Sequence, residues 1–164
     1  MKKAQLFSQP IIMIFALVIA ALILTWGSYN IYKLTKTART IELGTALTDL
    51  KDLVNTYYNL DIGSSTEINI KLPKQVKYIC FTNPNEPLII TDNIKKISPD
   101  LPQLLQAKSK NIFIIPTTIK PPTYYIKNLK PIENPLCIKT LNSLKAIIEN
   151  KGSYIEIRPI YEVY

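Results

Sequence analysis

The chain has 164 residues, with 20 Lys and Arg against 12 Asp and Glu, two cysteines and no histidine. This length suits one water-facing domain plus an appendage, and the missing imidazoles remove the usual ligand set of a zinc centre, so neither metal nor cofactor is expected. The formal charge of +8 falls on scattered lysines (Lys71, Lys74, Lys77, Lys95, Lys96, Lys108, Lys110, Lys127, Lys130) without a nucleic-acid motif, so it reads as a solvated face or a weak attraction to acidic surfaces, and no nucleic-acid partner is expected.

Lys2 and Lys3 are followed by no charged side chain until Lys33, and residues 10–26 read PIIMIFALVIAALILTW. An α-helix rises about 1.5 Å per residue, so about 20 apolar residues cross a bilayer core of about 30 Å. Residues 5–32 are therefore predicted to form a transmembrane helix, anchored in lipid by Ile11, Ile14, Leu17, Ile19, Leu22 and Leu24. Such a helix satisfies its own backbone, as an isolated strand in lipid does not. A buried core helix is the alternative, but a chain of this length lacks the mass to wrap the segment on every side. A secretory signal cleaved near Gly27, with Thr25 and Gly27 as small residues, is a third reading. The run is long for one, and Trp26 is an awkward neighbour.

The helical pattern continues beyond Gly27. Ile31, Leu34, Ala38 and Ile41, then Leu43, Leu47, Leu50, Val54 and Tyr57, recur at spacings suited to one helix face, with Lys51, Asp52 and Asn55 between them. The amphipathic continuation is predicted over 33–62, ending at the Asp61-Ile62-Gly63-Ser64-Ser65 stop. A helix this long is stabilised by what packs on its stripe more than by propensity.

From Thr66 the period changes to two, and residues 63–164 form a β-rich region. Ile68, Ile70 and Leu72 alternate with polar residues in a half-buried strand, and further strands are predicted over 76–82, 88–91, 111–115 and 123–127. Ser98-Pro99-Asp100 starts a short helix near 101–107. Residues 136–141, 144–149 and 154–158 read as a three-stranded antiparallel meander. The fold class is α+β: one long N-terminal helix, half transmembrane and half amphipathic, packed on an antiparallel β-sheet domain.

Cys80 and Cys137 both sit in strand-like surroundings. An even count on an exported domain favours a disulfide in an oxidising compartment. Two buried free thiols are the alternative. Glu133, Glu149 and Glu156 read as isolated positions, and no nucleophile–base constellation or phosphate-binding loop is present, so no catalytic residue is assigned and no small-molecule substrate is identifiable. Tyr57-Tyr58 and Tyr124-Tyr125 suit either a contact surface or packing of the sheet on the helix.

The start of the chain, Met1-Lys2-Lys3-Ala4-Gln5-Leu6, resembles the leader of type IV pilin-like proteins, in particular the archaeal-type class III signal peptide. The resemblance implies a leader over 1–4, with Lys3, Ala4 and Gln5 forming a processing site cut between Ala4 and Gln5. It also implies one long helix, an antiparallel sheet packed on its second half, often a disulfide, and other copies or related subunits as partners beside the lipid bilayer. Many bacterial members carry Glu as the fifth residue of the mature helix; counting from Gln5, that place holds Gln9. Lys2 and Lys3 before the anchor are nearly balanced by Lys33, Lys36 and Arg39 after it. The leader and the cysteine pair therefore decide the orientation: single-pass, N-terminus cytoplasmic, residues 63–164 extracytoplasmic. The expected function is a pilin-like or pseudopilin-like assembly subunit. The alternative is a permanently tethered extracytoplasmic binding or scaffolding module that forms no filament.

Overall fold

The computed structural model of the chain describes residues 8–160, with side chains from Ile11 onward. Two compact units divide it, Met1–Ala38 and Arg39–Tyr164. Helix α1, Ser8–Tyr58, contributes residues to both.

In the first unit, every described residue is helical. Its polar side chains turn back on their own backbone: Thr25 Oγ1 donates to the Ala21 carbonyl at 2.7 Å, and Asn30 Nδ2 to that of Trp26 at 2.8 Å. These i to i−4 bonds satisfy groups that would otherwise be costly in an apolar setting.

In the second unit, Leu43, Ala46, Leu47, Leu50 and Val54 of α1 are buried at spacings of three and four. Each fully buried Leu contributes about 1.5–3 kcal/mol relative to exposure. The buried stripe starts at Leu43: Ile31, Leu34 and Ile41, expected to extend it, are exposed. The helix also stops earlier than the expected 62, at Tyr58. Asn150, only 2 % exposed, explains the stop. Its Nδ2 donates to the carbonyls of Tyr57 at 2.9 Å and Leu60 at 2.8 Å, satisfying acceptors that the helix end leaves open. Gly63 then turns the chain at φ +90°, donating its N–H to the Asn150 carbonyl at 2.8 Å.

Among the described residues, eight strands follow the helix: β1 (Ser65–Lys71), β2 (Tyr78–Phe81), β3 (Ile112–Ile115), β4 (Thr123–Tyr124), β5 (Leu129–Pro131), β6 (Leu136–Lys139), β7 (Ser143–Asn150) and β8 (Ile155–Pro159), with short helices α2 (Asp92–Ile97) and α3 (Leu101–Leu105) between β2 and β3. They form two four-stranded sheets, ordered β1-β7-β8-β5 and β4-β3-β2-β6. Every pairing is antiparallel except β5 with β8, which is parallel. The α+β class holds, with two sheets in place of one and a mixed pairing in the first. Pro131 is tolerated because β5 is an edge strand.

The C-terminal meander is corrected. β7 and β8 form the expected hairpin, but β6 belongs to the other sheet, paired with β2. Thr140 decides this: its N–H donates to the Lys77 carbonyl at 2.9 Å and its hydroxyl to that of Val76 at 2.8 Å. Asn142, at φ 67°, then redirects the chain into β7. Alternation tells a strand which face is apolar, not which strand lies beside it. Residues 88–91 are not a strand, while α2 and β5 were not anticipated.

Two apolar cores result. The larger joins the α1 stripe to Ile68, Ile70, Leu144, Ala146, Ile148, Ile155 and Ile157 of the first sheet, and to Ile79, Phe81, Ile112, Ile114, Leu136 and Ile138 of the second. On the opposite face of the second sheet, Cys80, Phe113 and Ile115 pack with Ile94 of α2 and Leu101 and Leu105 of α3. β3 is buried along its whole length, as its uninterrupted Ile-Phe-Ile-Ile run requires.

Candidate functional site: an exposed apolar helix and a groove beside an edge strand

The six residues assigned to an anchor lie on the first unit with nothing over them. Ile11, Ile14, Leu17, Ile19, Leu22 and Leu24 are all exposed, Leu17 at 71 % and Ile19, the least, at 40 %. Their spacing spreads them around the helix, so apolar surface covers all its sides instead of one stripe. Among the described residues this is one helix long and apolar enough to cross a membrane, and its most apolar 18-residue window has a mean hydropathy of 2.5 with none of it buried. The leader residues Lys3, Ala4 and Gln5 lie outside the described residues.

Cys80 and Cys137 are joined in a disulfide, 57 positions apart in sequence. They stand directly opposite each other on β2 and β6. Thr82 N–H donates to the Asn111 carbonyl and Thr140 N–H to that of Lys77. By the antiparallel alternation, Cys80 then bonds toward β3, which makes Cys80 and Cys137 a non-hydrogen-bonded pair, the closer kind. The bridge pins the edge strand β6 to its sheet.

Glu149 and Glu156, read from sequence as isolated, are cross-strand partners on β7 and β8. Lys151 lies between them, 2.7 Å from Glu149 and 3.7 Å from Glu156, and Arg158 is 3.8 Å from Glu149. The Lys151 hydrogen bond holds the Glu149 carboxyl below its ordinary range, and the same bond holds the Lys151 ammonium above its own. Two acids and two bases neutralise each other here, as in a structural ion-pair network. Glu133 is exposed and not part of it. Tyr57, Tyr58 and Tyr124 are half-buried and pack on the larger core, whereas Tyr125 is exposed.

Between α2 and β6 a groove of about 1370 Å³ opens, extending to Lys145 of β7 and Pro159 of β8. Its lining includes three exposed apolar side chains, Ile89, Ile132 and Leu141, the last at 80 % exposure. The loop above it is fixed by Asn134, whose Nδ2 donates to the carbonyls of Asn83 and Glu86 and whose Oδ1 accepts from the Asn83 N–H. Sequence reasoning missed this groove, because its apolar residues come from separate loops and share no period.

No protein-family model, curated protein or solved structure matches this chain.

Proposed function

We propose that the chain is a single-pass, membrane-anchored assembly subunit of the pilin-like or pseudopilin-like kind, with a structural and not an enzymatic role. The observation that carries this reading is the exposure of Ile11 through Leu24 on every side of α1. Apolar surface this extensive is unstable in water and needs lipid or other helices around it. In the membrane the bilayer covers it. In an assembly, equivalent helices of other copies take the place of lipid, so one surface serves both for storage and for packing.

The β-rich region is extracytoplasmic in this reading. The Cys80–Cys137 disulfide supports that placement, because such bonds persist in oxidising compartments. The stretch Lys3-Ala4-Gln5 is the processing site, cut before Gln5. A reporter fused after Tyr164 tests the orientation: activity of an export-dependent reporter is expected, and activity of a cytoplasm-dependent one contradicts the reading. A permanently tethered module remains the rival, and an unprocessed N-terminus would favour it.

A further inference from the structure

β6 is an edge strand: β2 lies on one side of it, and among the described residues no strand lies on the other. Since Leu136, Ile138 and Thr140 face β2, Cys137 and Lys139 direct their backbone N–H and C=O groups to the open edge. Those groups have no backbone partner among the described residues. The groove runs along this edge, flanked on its far side by Ile94 and Ile97 of α2.

Charge distinguishes what would fit. Lys96, Lys139 and Lys145 line the groove against Glu86 and Glu133. Glu86 is already within 3.9 Å of Lys130. Among the described residues, three exposed ammonium groups therefore face one carboxylate without an ion-pair partner, so an incoming segment gains by carrying acids. Open edge groups, apolar flanks and an excess of lysines together describe a site for strand addition, in which main-chain hydrogen bonds supply affinity and side-chain pockets supply selectivity.

We propose that this groove takes an extended, acidic segment of a partner polypeptide, added as a strand along β6 and paired to the backbone of Cys137 and Lys139. The proposal is independent of leader processing and of the anchor.

The test uses the full chain in detergent micelles and a fluorescein-labelled hexapeptide, Val-Glu-Val-Glu-Val-Glu, read by fluorescence anisotropy against empty micelles. It is expected to bind at least tenfold more tightly than Val-Lys-Val-Lys-Val-Lys. The double variant Lys139→Glu/Lys145→Glu, both positions being exposed and therefore harmless to folding, is expected to reverse that order. N-methylation of alternate amides on the pairing side of the probe is expected to weaken binding at least tenfold, and methylation of the other amides to leave it unchanged. Equal binding of the two probes, no binding, or indifference to N-methylation overturns the proposal. Binding that appears only when the chain is ended at Ile160 also overturns it, by making residues 161–164 the occupant. Self-association that the probe competes away assigns the groove to a second copy, with the same result.

Discussion

The side-chain amide of Asn150, in β7, donates to the main-chain carbonyl of Tyr57, in α1, at 2.9 Å across 93 positions of sequence. The same amide reaches Leu60 at 2.8 Å, and its oxygen accepts the Gly152 N–H at 2.7 Å. One buried side chain thus ends the helix, orders the turn into β1 and shapes the β7–β8 hairpin.

Replacing Asn150 with Leu keeps the bulk and removes all of these bonds. The Tyr57 carbonyl keeps the Leu60 N–H at 3.2 Å, so the loss falls chiefly on the Leu60 carbonyl and the Gly152 N–H, and an unmade bond costs about 1–3 kcal/mol where water cannot replace the partner. Asn150→Leu is expected to destabilise the domain by about 2–3 kcal/mol, measured as a shift in the urea midpoint of the full chain in micelles. A shift below about 0.5 kcal/mol, the range of ordinary surface substitutions, would show that the turn does not depend on this cap.

The bridge between Cys80 and Cys137 closes a separation of 57 residues. In the chain-entropy treatment a loop of that size is worth about 4 kcal/mol, an upper-end figure. The double variant Cys80→Ala/Cys137→Ala should therefore unfold at clearly lower temperature than the parent. Maleimide labelling of the denatured, unreduced protein taken from cells should find no free thiol. Two reactive thiols would place the domain in a reducing compartment.

Glu149 titrates below its ordinary range because Lys151 bonds to it, and Lys151 titrates above its own for the same reason. The Glu149 contribution is fully present above the unfolded carboxyl value of about 4.3 and is lost as pH falls through the lower folded value. The Lys151 contribution is present below about 10.4 and is lost as pH rises through the higher folded value. Stability from the pair is thus greatest between these limits. Glu149→Gln is expected to flatten the acid limb of a urea-midpoint profile taken from pH 3 to pH 7. An unchanged acid limb would mean that other carboxylates carry it.

Leu17 sits mid-way along the apolar run with its side chain uncovered. An Arg at the centre of a membrane helix costs about 3 kcal/mol on insertion scales, besides the favourable Leu that it replaces. Leu17→Arg is expected to move the protein out of the carbonate-resistant membrane fraction and to abolish any assembly. Fractionation identical to the parent would remove the anchor role from this segment.

Much of the fold was legible because periodicity reports burial directly. Leu43, Leu47, Leu50 and Val54 repeat at helical spacing and are the buried stripe; Ile68 and Ile70 alternate and are buried on one face of β1. The cysteine pair was legible from count and context. Partner choice was not. β6 and β7 show the same alternation, and what separates them is the pair of bonds from Thr140 to Val76 and Lys77, a contact across more than sixty positions. α2 escaped because six residues, Asp92–Ile97, contain too little of a helical repeat to stand out. The Glu149–Lys151–Glu156 cluster escaped because it depends on a cross-strand register, and the groove because Ile89, Ile132 and Leu141 meet only after folding.

The mass of the mature protein isolated from membranes separates a processed assembly subunit from a permanently tethered module. The expected intact-protein mass, confirmed by N-terminal sequencing, is that of a chain beginning at Gln5. A mature chain beginning at Met1 or Lys2, or one cut near Gly27, would contradict it.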